Sequence, residues 1–232
     1  MPIIRPHRPV SGPATSPAKG KLRRMLSRLR RDTSATSVIE LGLSAPLLMG
    51  LALTGTEVVA LAIVHVKLNQ LAITVADNAS RAKQTQVNGA PQFREYDVNQ
   101  VFRAAALQAE DLNIPVNGRV ILSSLETNSS GGQWIHWQRC WGNTTYASRY
   151  GVQGTGATGT AFKGMGFTSP LMVADTGTSI MFVEVFYQYK PFFLGSILSP
   201  KLIHKEAALY VRDDRDLTQI YNPSPASTVS SC

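Results

Sequence analysis

Hydrophobic positions follow three successive patterns along this chain, and each predicts a different kind of element. From Leu41 to Val64 the chain is almost uniformly apolar: the run LGLSAPLLMGLALTGTEVVALAIV contains no Lys, Arg or Asp, and Glu57 is its single charged residue. At about 1.5 Å per residue, a helix over this run exceeds the roughly 30 Å hydrocarbon thickness of a bilayer. The apolar part of a secretory signal peptide is only about 7–15 residues long, so the pattern predicts an uncleaved transmembrane helix.

Past Val66 the pattern becomes amphipathic. Leu68, Leu71, Ala72, Val75, Ala76, Ala79 and Ala82 recur at helical spacing, with Lys67, Asn69, Gln70, Asp77, Asn78 and Arg81 on the other faces. No breaker occurs before Asn88-Gly89-Ala90-Pro91. One helix of about 50 residues, on the order of 75 Å, is therefore expected to leave the membrane carrying an apolar stripe. Either the chain's own globular domain or another subunit must cover it. Ser37-Val38-Ile39-Glu40 has the form of a capping box at the start of this helix.

The third pattern begins at Asp97-Val98-Asn99-Gln100, a second capping signal. It opens a helix to about Leu112, with Val98, Val101, Phe102, Ala105, Ala109 and Leu112 on one face. The period then drops to two. Residues 119–127 and 133–140 read as strands joined at Asn128-Ser129-Ser130-Gly131-Gly132, a hairpin signal. Two further strands are expected over 177–189 and 205–212, the former with Ser179, Met181, Val183, Val185, Tyr187 and Tyr189 on one face. The Gly/Thr/Ser-rich segment 150–170 reads as a long exposed loop.

These elements define an α+β chain: a long N-terminal transmembrane and amphipathic helix, then a small antiparallel sheet domain with one short packed helix. Four regions follow: a basic disordered arm (1–35), the helix (36–87), the α+β domain (88–216) and an extended C-terminal tail (217–232). The domain is long enough for one core and not two.

Charge gives this arrangement a direction. Residues 1–35 carry nine Lys or Arg against Asp32 alone, whereas the rest of the chain is balanced. The entire net charge of +8 therefore lies on one side of the span. By the positive-inside bias the N-terminus is cytoplasmic and the C-terminal domain faces outward, into a bacterial periplasm, from a single-pass inner-membrane anchor. A Pro-rich arm without aromatic residues fits anionic inner-leaflet lipid better than nucleic acid.

Cys140 and Cys232, the two cysteines, both fall on the outer side. In an oxidising compartment they could form a disulfide tying the tail to the sheet; two free thiols or an intermolecular bridge remain alternatives. Residues 154–159 match GxGxxG by letter but lack a preceding strand and a following helix. His136 and Cys140 would lie about 13 Å apart along a strand, too far to share a metal ion. No Ser/His/Asp set or close carboxylate pair stands out. No enzyme activity, metal or other cofactor is expected.

An ionisable group in a membrane span is costly and usually meets protein or a polar partner. Glu57 could snorkel towards the outer boundary or pair with a neighbouring subunit, and Glu40 could cap its helix or do the same. Gly42, Ala45, Gly50, Ala52 and Gly55 would allow close helix approach. Together these features favour lateral assembly.

The segment Ser37-Val38-Ile39-Glu40-Leu41-Gly42-Leu43, followed by Ala45-Pro46-Leu47-Leu48, Thr56-Glu57 and Ala76-Asp77-Asn78-Ala79-Ser80-Arg81-Ala82, resembles the N-terminal segment of TadE-like pilus assembly proteins. These are pseudopilins, or minor pilin-like subunits, of the tight adherence (Flp pilus) secretion system. The resemblance covers about 45 residues and rests on an acid, a Pro and a second acid in that order. It implies a pilin-like fold and a non-enzymatic role in pilus assembly, with Glu40, Pro46 and Glu57 in intermolecular helix contacts. The expected partners are other pilus subunits, the inner-membrane assembly machinery and membrane lipid. It also implies a prepilin peptidase cutting between Ala35 and Thr36, although Ala35 stands where Gly is usual and Leu41 where an aromatic residue is often found. From a different class, the chain could instead be an anchored periplasmic binding module that holds a ligand among Trp134, Trp137, Trp141, Tyr146 and Tyr150.

Overall fold

In a computed structural model of the chain, residues 23–28, 30, 34–86, 89–192, 195 and 199–232 are described. Most of the basic arm, and Asn88 of the expected helix breaker, lie outside them. Residues 23–28 are helical rather than irregular, as their Arg, Met, Leu and Ser composition allows. Two compact units can be distinguished, residues 1–53 and 54–232.

The first unit contains the N-terminal part of helix α1 (Ser34–Arg81), whose 48 residues make one element. Val38, Leu43, Leu47, Leu48 and Leu51 are all exposed. The helix already includes Ser34, so Ser37 and Glu40 lie inside its first turns and do not cap it. The capping-box spacing occurs there without the boundary it usually marks, because the upstream residues are themselves helix-compatible.

The second unit is α+β. After α1 come β1 (Gln84–Gln86), β2 (Gly89–Arg94), α2 (Glu95–Gln108), a 3₁₀ turn (Glu110–Leu112), α3 (Ile114–Asn117), β3 (Gly118–Thr127), β4 (Gln133–Trp141), β5 (Ser179–Tyr189), β6 (Lys201–Tyr210) and β7 (Asp216–Tyr221). Strands β3 to β6 form an antiparallel sheet in the order β4-β3-β5-β6. A small sheet β1-β2-β7 joins the start of the domain to its end, with β2 and β7 parallel.

Helices cover one face of the larger sheet. Leu68, Leu71, Ala72, Val75, Ala76 and Ala79 of α1 are wholly buried in one cluster with Val98, Val101, Phe102 and Ala105 of α2 and with Val120, Leu122, Met181, Val183 and Val185 of the sheet. The stripe that needed a cover has one within its own chain. Helix α2 starts at Glu95, two residues before the expected Asp97, because Asp97 caps from inside: its Oδ2 accepts the backbone N–H of Arg94 at 3.0 Å.

The opposite sheet face is covered by irregular chain. Leu125, Ile135, Ile180 and Phe182 pack with Met165 and Ala174, and Tyr150, Phe162 and Met172 lie against them. Much of 150–170 is exposed, as expected, but its inner side closes this second core. Strand β5 is consequently buried on both faces rather than one. Strand β6 starts at Lys201, earlier than the expected 205, because β5 continues to Tyr189 and offers backbone partners to that point.

Candidate functional site

Glu57 is the centre of the most distinctive polar site that the sequence singled out. The turn of α1 that carries it faces the end of β5. The residue is buried, at 4% exposure. It accepts the phenolic O–H of Tyr189 and, at 3.0 Å on each oxygen, the backbone N–H of Phe192. Burial, followed by the bond to Glu57, pushes the Tyr189 phenol up to about 12. Within the chain, Tyr189 and Phe192 are polar partners of Glu57, brought there by β5 and the residues after it, a long-range pairing that no local spacing reveals.

Beside this site lies a groove of about 240 Å³ lined by Ile63, Val64, Lys67, Tyr187, Lys190 and Phe192, among others. Lys67 pairs with Asp111 across it. Phe192 is 81% exposed. Apolar stems, aromatic rings and amines thus share one shallow surface.

Glu40 and Pro46 are exposed on α1 in the first unit. Pro46 lies within the helix and has no N–H to donate to the carbonyl of Gly42. Ala35 and Thr36, the expected processing residues, sit in the first turn of α1. A Cβ added at Gly42, Gly50 or Gly55 would meet nothing within 4 Å.

Cys140 and Cys232 form a disulfide across a sequence separation of 92. The tail is also fastened by hydrogen bonds. The Cys140 N–H donates to the Ser230 carbonyl at 2.8 Å, and Arg119 donates to the Cys232 carbonyl at 2.9 Å. The Asn99 amide reaches the Thr228 carbonyl at 2.8 Å.

The five aromatic residues of the binding-module reading do not share a cleft. Trp137 stacks on Phe93 and Trp141 on Phe102, on the helix-covered side of the sheet. Tyr146 stacks on Phe186 and Tyr150 packs edge-on against Phe182, on the loop-covered side. Residues 154–159 form turns with no helix after them, so the GxGxxG letters carry no phosphate cradle.

Sequence reasoning missed three ionic features. Arg215 donates to the carbonyls of Ala79 at 3.0 Å and Ser80 at 2.6 Å, satisfying the C-terminal end of α1 from 135 residues away. Asp213 holds its guanidinium at 2.9 Å; although burial raises the Asp213 pKa, Arg215 and Lys83 outweigh it and lower the value. Arg139 forks onto the buried Glu95, fixing β4 to the start of α2. On the other sheet face, Glu184, His204 and Glu206 converge. Only the last had a sequence signal, a glutamate inside the apolar run of β5 and an alternating His-Lys-Glu in β6.

The chain matches no protein-family model, no curated protein and no solved structure. What is established is an α+β domain with a disulfide in it and, among the described residues, one N-terminal helix long and apolar enough to cross a membrane.

Proposed function

We propose that this chain is a non-enzymatic, membrane-anchored subunit of a tight-adherence pilus, a TadE-like pseudopilin with a pilin-like domain outside the inner membrane. The observation that carries the reading is the change of surface along α1. From Thr36 to Thr56 the helix exposes nearly every side chain, and from Glu57 onward it presents a buried stripe to its own domain. The exposed stretch amounts to about 31 Å of helix, close to the roughly 30 Å of bilayer hydrocarbon. On this reading Glu57 stands at the outer edge of the span, where its carboxylate bonds to Tyr189 and Phe192 of the outer domain.

The open Gly42, Gly50 and Gly55 positions support packing against other helices in the membrane or the fibre. Glu40 is the acid available for an intermolecular pairing, and the basic arm supports a cytoplasmic N-terminus. Deletion of the gene in its native host tests the assembly role. Loss of surface pili, restored by the wild-type chain but not by Glu40→Ala, is expected; unchanged piliation refutes it. N-terminal sequencing tests processing separately, with Thr36 expected as the first residue and an intact Met1 ruling the cut out.

A further inference from the structure

We propose that Glu184, His204 and Glu206 form a binding site for a divalent transition-metal ion of the zinc class on the loop-covered face of the four-stranded sheet. The inference does not depend on the pilus reading.

Strand register creates the site. In the β5–β6 pairing Glu184 stands opposite Glu206 and Phe186 opposite His204, so the two carboxylates and the imidazole project from neighbouring positions of one face. Their ligand atoms all lie within 4.8 Å of one another. The side chains are 0%, 8% and 5% exposed for Glu184, Glu206 and His204 respectively. Like charges directly opposed across a sheet repel, and burial raises the cost further. Among the described residues, no Lys or Arg side chain forms an ion pair with either glutamate. Arg149 contributes only its backbone N–H, to Glu184 Oε1 at 3.0 Å.

The spacing differs from that of an ordinary histidine–carboxylate pair. His204 Nε2 lies 3.4 Å from Glu184 Oε1 and 3.6 Å from Glu206 Oε1. It is hydrogen-bonded to neither, and Glu184 Oε2 also has no hydrogen-bond partner. A charged N–H···O bond would be about 2.7–2.9 Å long. By contrast, the edge of a tetrahedron with metal–ligand bonds of about 2.0–2.1 Å is roughly 3.3–3.4 Å. The same sheet supplies an internal comparison: His136 Nδ1 and Glu126 Oε2 sit at 2.8 Å, a satisfied pair.

The carboxylates are also oriented from outside the triad. Tyr150 donates its O–H to Glu206 Oε1 at 2.6 Å, while the Arg149 N–H holds Glu184. Such outer hydrogen bonds fix ligating groups at metal centres. An imidazole with two carboxylates suits zinc and its first-row neighbours; Mg²⁺ and Ca²⁺ favour all-oxygen sites. A bound ion would neutralise the opposed glutamates and link β5, β6 and the segment carrying Arg149 and Tyr150.

The test uses the full-length chain in detergent, stripped with a chelator and dialysed against Zn²⁺ or Mg²⁺. Retention of about one Zn²⁺ per chain, with Mg²⁺ not retained, is expected. Glu184→Gln and His204→Gln should each weaken zinc binding at least roughly tenfold, and Tyr150→Phe about tenfold as an outer-bond loss. His136→Gln should bind as the parent does. Wild-type chain that retains no stoichiometric zinc overturns the site. Folded His204→Gln with parental affinity overturns it equally. Because the first of these needs no variant, misfolding of a mutant cannot rescue the proposal.

Discussion

The two faces of the four-stranded sheet are closed in different ways. One is covered by α1 and α2, whose buried residues in contact with the sheet are almost all apolar and recur at helical spacing. The other is covered by irregular chain between β4 and β5, and beneath it lie Ser123, Gln138, Glu184, His204 and Glu206 as well as apolar side chains. A helix satisfies its own backbone and can therefore offer a purely apolar surface. An irregular segment must find partners for its N–H and C=O groups, and the sheet supplies some of them. Thus Gln138 reaches the Gly151 carbonyl, and Gln133 exchanges two hydrogen bonds with Ala174. The helix side is held mainly by burial, the loop side by specific bonds and one covalent link.

Removing that link should have the largest effect. A loop closed over 92 residues constrains the unfolded chain by about 4–5 kcal/mol on loop-closure entropy. The double substitution Cys140→Ala/Cys232→Ala should lower the unfolding free energy by an amount of that order, measured by urea denaturation of the oxidised parent and the variant in the same detergent. Amide exchange should rise first at Cys140, Ser230 and the Tyr146 segment, while α1 from Leu68 to Ala79 stays protected. Equal loss of protection on both faces would break the contrast drawn between them.

On the helix side the corresponding probe is Leu71→Ala. Leu71 is wholly buried between α1 and the sheet, and a buried Leu→Ala change costs about 3 kcal/mol through lost transfer energy and a residual cavity. A change below about 1 kcal/mol would mean that this face is not well packed. Tyr150→Phe on the opposite face removes one hydrogen bond to the Glu206 carboxylate while leaving the ring on Phe182, and should cost about 1.5–3 kcal/mol in the absence of metal. The disulfide and Tyr150 effects together would assign the loop side's stability to bonds rather than to area.

How far the molecule could be read from the sequence depends on whether a feature is local, and this holds on both faces. The α1 stripe, the α2 face and the hairpin at Asn128–Gly132 are local periodicities or turn chemistries, and their residues were legible before any pairing was known. The ionic sites were not. Glu184 meets Glu206 only through the β5–β6 register, Glu57 meets Tyr189 only because β5 ends beside α1, and Arg215 reaches Ala79 across 136 positions. The small β1-β2-β7 sheet also escaped notice, since β1 has three residues and β2 contains Pro91. Distance in sequence, rather than weak chemistry, concealed these features.

Tyr189 provides the finest test, because it belongs to the helix side yet is held by a specific bond. Its pKa is raised from 10.0 to about 12, first by burial and then by donation to Glu57. The folded state therefore favours the neutral phenol more than the unfolded state does. For such a group the stabilisation is complete below the unfolded pKa near 10 and is lost as pH rises through the folded value near 12. Tyr189→Phe should accordingly be less stable than the parent at pH 8, and the difference should shrink steadily between pH 10 and 12. Urea denaturation at each pH, taken as parent minus variant, removes the titration of the other groups. A constant difference across that window would mean that folding does not raise the Tyr189 pKa, so that neither burial nor the bond to Glu57 favours the neutral phenol.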